Sequence, residues 1–321
     1  SERKLSGSYY TPEPLVQELI RSALVPVIER TINANCSAPR KALLDLRIID
    51  PACGSGHFLL AAARRIAYEI ARLEAGSDTP DETARQHALR EVVQHCIYGV
   101  DRNPMAVELC RTALWIETIE PGKPLSFLDA HIRCGDSLVG VFDLKVLREG
   151  IPDEAYKPLE GDDREVANHY KAKNRRERAE RDRIEGGFGL DLQRDLAAAL
   201  AELADMPEET VDQITAKRAR FEALTARGAA AWTLERACDL WTSAFFARKT
   251  RGGQFAGPDG LPRRGAETVA TSGTVWELLR GREPFGPLTG AVAALAGHYR
   301  FFHWPLAFAD VMARGGFDVV L

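Results

Sequence analysis

The stretch Arg47-Ile48-Ile49-Asp50-Pro51-Ala52-Cys53-Gly54-Ser55-Gly56-His57-Phe58-Leu59-Leu60-Ala61-Ala62-Ala63 restricts the fold more than any other. An apolar run that ends in an acid, a turn dense in Pro, Gly and Ser, and an Ala/Leu run at helical spacing read as strand, tight loop and helix. That is the opening unit of an α/β sheet of the nucleotide-binding type. Gly54 and Gly56 let backbone approach a ligand, and the helix N-terminus offers N–H groups without intrahelical partners. Asp50, at the carboxyl end of the strand, can accept a bond from a cationic group. The loop therefore suits a ligand carrying both a carboxylate and an ammonium.

A dinucleotide loop needs a third small residue, so that the helix can pack near the pyrophosphate; here Gly54-Ser55-Gly56 is followed by Leu59 at that position. Two further junctions repeat the strand-to-loop pattern. Cys96-Ile97-Tyr98-Gly99-Val100-Asp101 reads as a short buried strand ending in an acid, then Arg102-Asn103-Pro104 and a helix from Met105 to Thr118. An acid at that point can accept both ribose hydroxyls of an adenosyl group. It lies further from the first loop than the roughly 20 residues usual in dinucleotide folds, because a second helix, running to about His95, intervenes after the break at 75–81. His131-Ile132-Arg133-Cys134-Gly135-Asp136-Ser137-Leu138 reads as a third strand entering a Gly-Asp-Ser turn. Ahead of all three, Leu5-Ser6-Gly7-Ser8-Tyr9-Tyr10-Thr11-Pro12 leads into a helix with Thr11 as N-cap and a stripe of Leu15, Val16, Leu19, Ile20 and Leu24.

Asp50-Pro51-Ala52-Cys53-Gly54-Ser55-Gly56-His57-Phe58 resembles motif I of the gamma-class adenine-N6 DNA methyltransferases, which bind S-adenosylmethionine there. Tyr-Tyr-Thr-Pro resembles motif X, which lies over the methionine end of the cofactor; Thr11 is then a contact, with Tyr9 or Tyr10 as the wall. Ile-Tyr-Gly-Val-Asp-x-Asn-Pro resembles motif II. By that resemblance Asp101 holds the ribose, while Asn103, Pro104 and Met105, with Arg102 among them, border the adenine. The Gly-Asp-Ser turn resembles motif III, which implies that Asp136 accepts a bond from the exocyclic amine of the adenine and that Leu138, beside Ser137, packs on the ring. The implied cofactor set is Tyr10, Thr11, Asp50, Pro51, Ala52, Cys53, Gly54, Gly56, Phe58, Asp101, Arg102, Asn103, Met105, Asp136, Ser137 and Leu138.

The implied fold is α/β, a Rossmann-like S-adenosylmethionine-dependent methyltransferase sheet with a large helical insertion. Residues 1–142 form the N-terminal helix and cofactor-binding core, 143–297 the mainly helical insertion, and 298–321 the return to the core sheet. Within the insertion, residues 163–185 carry Lys171, Lys173, Arg175, Arg176, Arg178, Arg181 and Arg183 among Asp and Glu, read as a solvated face laced with i,i+4 pairs, with DNA phosphate contact as the alternative. Gly186-Gly187-Phe188-Gly189 ends that helix. Two helices follow, about 190–205 and 208–226. Leu234 to Arg248 is apolar enough for a core helix docked on the main sheet. The Gly- and Pro-rich residues 250–265, with Arg251, Arg263 and Arg264, form a loop. Helices near 272–281 and 287–299 close the insertion. His303, beside Trp304, has no acid or nucleophile at motif spacing and is read as a packing or capping residue.

His303-Trp304-Pro305-Leu306-Ala307-Phe308 and Gly315-Gly316-Phe317-Asp318-Val319-Val320-Leu321, the latter a buried strand, resemble what precedes motif IV in Type IIG restriction–modification enzymes and BREX-type phage-exclusion methyltransferases. There the catalytic Asn-Pro-Pro-aromatic follows. In this sequence no such tetrapeptide occurs, so the catalytic residues are expected after Leu321, and the chain is expected to be an excised piece, inactive alone, of a larger polypeptide; nuclease and target-recognition domains in that polypeptide are what the resemblance leaves open. The implied partner is double-stranded DNA. Methyltransferases of protein or RNA share the loop, and a non-catalytic S-adenosylmethionine-binding module would show it too; motif X ahead of motif I and the large insertion before motif IV favour DNA.

The net charge of −4 gives no global signature of nucleic-acid binding, so any DNA affinity must come from a local patch or from other parts. Six scattered cysteines without a C-x-x-C pair indicate neither a zinc site nor a disulfide framework, and no metal is expected; a reducing cytoplasm fits. No apolar run approaches the length of a membrane span.

Overall fold

The apolar runs that end in acids form the inner strands of one parallel sheet, ordered β3-β2-β1-β4, with β1 at Ile48–Asp50, β2 at Ile97–Asp101, β3 at Ile132–Cys134 and β4 at Val319–Val320. Ile48 pairs with Ile97 and with Val319, and Gly99 with Ile132. The computed structural model describes residues 11–180, 190–251, 261, 267–284 and 286–321. Tyr9, Tyr10, Arg181, Arg183, the 186–189 turn, and Arg263 and Arg264 of the 250–265 loop lie outside the described residues.

Two compact units result. One comprises residues up to Ser137 with Ala197–Glu222 and Asp310–Leu321; the other comprises Leu138–Leu196 and Ala223–Ala309. The sequence division at 142 and 297 does not follow this partition, because a helical hairpin from the middle of the insertion belongs with the sheet.

In the first unit the chain enters through α1, Glu13–Leu19, a π-helical turn Ile20–Leu24, and α2, Val25–Ala34. Pro26 has no N–H to give to the Ser22 carbonyl, which accounts for the displaced ladder. Val16, Ile20, Leu24 and Ile28 are buried, whereas Leu15 is exposed. Pro12, not Thr11, takes the N-cap position, with no side-chain cap bond. After α3, Pro39–Leu44, and β1, helix α4, His57–Ala75, contributes Leu59, Ala61, Ala62, Ala63 and Ile66 to the same buried core as Ile48, Ile97 and Ile132 of the sheet. Small residues allow close approach: a Cβ on Gly99 would stand 2.9 Å from Leu59 Cδ1 and 3.1 Å from Cys53 Sγ. Helix α5, Glu82–His95, is capped by Asp81, whose carboxylate accepts from Ala84 N, and α6, Pro104–Glu117, is capped by Asn103. The final strand is shorter than expected; Val319 is buried, but Val320 is 62% exposed.

The second unit has its own apolar core, which includes Leu147, Tyr156, Tyr170, Leu234, Cys238, Leu240, Trp276 and Leu288. Helix Ala230–Ser243 therefore belongs to the core of the second unit and not to the unit that carries the sheet, where its composition had placed it. Buried polar groups of this unit differ in how they are met: Thr242 Oγ1 and Thr271 Oγ1 have no hydrogen-bond partner among the described residues, whereas Asn174 has three bonds. Asn174, fully buried, donates to the Ile151 carbonyl at 2.8 Å and accepts from Ser272 N at 2.8 Å and Ser272 Oγ at 2.7 Å. His303 packs as expected: its Nδ1 accepts from Val141 N at 3.1 Å, which leaves Nε2–H to donate to Asp239 at 3.1 Å.

On helix Arg164–Glu180 three of the basic side chains meet acids, mostly outside the i,i+4 pattern. Lys173 meets Glu267 at 2.6 Å, and Arg175 and Arg178 share Asp153. No helix among the described residues is long and apolar enough to cross a membrane.

Candidate functional site

Parallel strands of a doubly wound sheet release their loops at one edge, and a ligand site forms there. Within the first unit the loops after β1, β2 and β3 border a single cavity of about 610 Å³, within the range of small-molecule sites. Of the residues expected to hold a cofactor, Thr11, Pro51, Ala52, Cys53, Gly54, Phe58, Asp101, Arg102, Asn103, Met105, Asp136 and Ser137 line it.

Asp101 is the hub. Its Oδ2 accepts from Gly54 N at 2.9 Å, tying the first loop, and its Oδ1 accepts from Asn103 N at 2.7 Å. Its carbonyl accepts from Gly135 N at 2.9 Å, tying the third loop. Asp101 thus ties three loops, two through its half-buried carboxylate and the third through its carbonyl, while lining the cavity, and each carboxylate oxygen retains a second lone pair for a ligand hydroxyl. Asp136, half-buried, lies 3.8 Å from Arg102 Nε. Met105 and Leu109 are 65% and 52% exposed, one turn apart on α6, and both line the cavity. Two such apolar side chains open to solvent offer a face for a planar ring.

His57 and Phe58, the first residues of α4, also line the cavity. The free N–H groups of a helix N-terminus favour a carboxylate. Gly56 is required just before it, because its φ is +89° and a Cβ would stand 2.8 Å from Cys110 Sγ. Cys53 is buried, and its thiol is pushed far up by its bond to the Cys110 thiol and by burial. It is a packing thiol, not a nucleophile.

Three expected residues lie elsewhere. Asp50 is 4% exposed and is not a lining residue; its Oδ1 accepts from Ala52 N at 2.9 Å, so it anchors the loop from beneath. Its Oδ2 is buried without a hydrogen-bond partner. Burial, with Asp101 nearby, raises this carboxyl to a pKa of about 6. Gly56 acts through packing, as above. Leu138 is 84% exposed, is absent from the lining and begins the second unit.

Five lining residues were not anticipated: Ser55, His57, Ala106, Leu109 and Gly135. Ser55 and His57 sit inside the recognised loop, 3.1 Å apart between Oγ and Nδ1. Leu109 was detectable as the residue four beyond Met105, on the same helical face.

Residues 1–140 match the family model described as N-6 DNA Methylase. The chain is 25% identical over 186 residues to a putative type II restriction enzyme and methyltransferase of Methanocaldococcus jannaschii, over 43% of this chain and 15% of that protein. It is 31% identical over 144 residues to the adenine-specific methyltransferase PglX of Streptomyces coelicolor, over 43% of this chain and 10% of that one. With the type II restriction enzyme and methyltransferase Eco57I of Escherichia coli it shares 28% over 158 residues, 44% of this chain and 15% of the relative. The matched stretches span only 10–15% of the relatives' own lengths. Over residues 1–140 the chain is thus similar to the N-6 DNA Methylase family.

Proposed function

We propose that the first unit binds S-adenosylmethionine in the 610 Å³ cavity, and that the polypeptide to which this chain belongs methylates adenine N6 in DNA. The observation that carries the reading is the convergence on one cavity of the loops after β1, β2 and β3, joined through Asp101. The residues present fit such a ligand. The start of α4 suits its carboxylate, Asp101 its ribose hydroxyls, Asp136 its adenine amine, and Met105 and Leu109 its ring. When bound, S-adenosylmethionine supplies an electrophilic methyl group; the chain's part is to orient the ligand and to exclude water from the ring face. The target is proposed from the relatives, which are named as adenine-specific or restriction-associated methyltransferases.

Calorimetry on the 321-residue chain tests this. Micromolar affinity is expected, about −8 kcal/mol. Asp101→Ala removes the ribose acceptor and unties two loop N–H groups, and should weaken binding by about 1–3 kcal/mol. Part of that loss should vanish for a 2′-deoxy analogue, which a loop defect alone would not produce. Unchanged affinity in the variant would refute the assignment.

No Asn-Pro-Pro occurs within residues 1–321. Transfer to a flipped adenine needs acceptors that hold its amine and a partner that stacks its ring. The 321-residue chain is therefore expected to bind the cofactor and leave duplex DNA unlabelled in a radiolabel assay, and label above background would mean that the acceptors lie inside it.

A further inference from the structure

A second, smaller cavity of about 170 Å³ lies in the first unit, between one face of α5 and the turn at 204–209. The α5 side of it is formed by His87, Arg90, Glu91, Gln94 and His95, a spacing that puts all five on one helical face. Arg90 is 2% exposed. Its guanidinium has a single described protein partner, the Glu208 carbonyl, to which Nη2 donates at 3.1 Å. Its Nε is buried without an acceptor, and among the described residues no carboxylate is recorded within 4 Å of it.

The surrounding charges are already committed. Glu208 meets Lys217 at 2.8 Å, Glu209 meets Lys123 at 3.0 Å, and Glu91 meets Arg40 at 2.5 Å. Asp205, the remaining acid on the lining, is exposed at the rim. What is left is one buried positive charge, which an arginine cannot discard, facing a polar cavity with most of its donors unused. His95 stands on the same lining, and burial, with Lys217 and Arg47 nearby, lowers its pKa.

We infer that this cavity binds a small tetrahedral oxyanion of the phosphate or sulfate class, held by Arg90 and bridging α5 to the 204–209 turn. The cavity is below the usual 300–1,000 Å³ of organic ligands, and Arg90 is too recessed for a duplex backbone, so the ion is a free one. The site is separate from the 610 Å³ cavity and stands or falls independently of the methyltransferase reading.

The test is thermal unfolding of the 321-residue chain in sodium phosphate against sodium chloride at matched ionic strength. An ion bound only by the folded state should raise the melting temperature saturably, by at least about 2 °C well above its dissociation constant. The rise should disappear in Arg90→Met and persist in Lys145→Met, a change on an exposed helix of the second unit. Equilibrium dialysis with labelled phosphate gives the same answer directly: about one ion per wild-type chain, and at least about tenfold weaker binding in Arg90→Lys, which keeps the charge should the methionine variant not fold. Duplex DNA without terminal phosphates should leave that label in place. Identical melting in the two salts, an undiminished effect in Arg90→Met, no retained phosphate, or displacement of the label by duplex would each overturn the inference.

Discussion

Asp50→Asn is expected to stabilise the first unit at pH 8 by up to about 3 kcal/mol. The wild-type carboxyl titrates at about 6, against 3.8 when unperturbed, because it is buried and lies near Asp101. A group raised on folding contributes stability that is fully present below its unfolded value and is lost as pH rises through its folded one. Asp50 therefore favours the folded state below about pH 4, and that contribution fades as pH climbs through 6. Asparagine keeps the acceptor for Ala52 N and never ionises. Urea denaturation of both proteins from pH 4 to 8 should show the stability difference opening with rising pH; parallel profiles, or a variant weaker at pH 8, would refute it.

Lys217→Met should cost about 3–5 kcal/mol, a large part of the stability of an ordinary domain. Lys217 and Glu208 are a buried pair, with side chains 6% and 5% exposed. The ammonium also lies 3.3 Å from the Ala204 and Met206 carbonyls, while Glu208 accepts from Phe127 N at 2.9 Å and from Gln94 at 3.1 Å. Removing the lysine strands a carboxylate that two other donors cannot neutralise. Glu208→Gln in the same chain should recover part of the loss, since the amide oxygen still accepts and no charge is left. A single variant within 1 kcal/mol of wild type in urea denaturation would show that the pair carries no such weight.

These two residues also mark where the sequence was legible and where it was not. The strand-to-loop junctions at Asp50, Asp101 and Asp136 are local patterns, in which burial, turn and cap follow one another within ten residues, so both the sheet and most of the cavity lining could be read. Lys217 could not be read. In a helix of alternating charge, a buried lysine and a solvated one look alike until the chain folds back, and the place of residues 197–222 in the first unit rests on such non-local contacts, including Phe127 against Phe221 at 5.6 Å. Asp50 failed for a different reason. Composition puts an acid at the end of a strand, but only the path of the loop decides whether its carboxylate faces the ligand or the backbone beneath it. Leu138 sits where the chain leaves one unit for the other, and no local signal reports that change.

The pairing of β1 with β4 joins Arg47 to Asp318 across 271 residues of chain. On a ribosome working at about 5–20 residues per second, one edge of β1 would wait roughly 14–54 s for its neighbour to be made. Ile48 and Ile49, both buried in the finished sheet, would meanwhile flank an open row of N–H and C=O groups, an arrangement that invites pairing with other chains. The insertion that separates the two strands is thus also a delay in synthesis, during which that edge of β1 is open to mispairing.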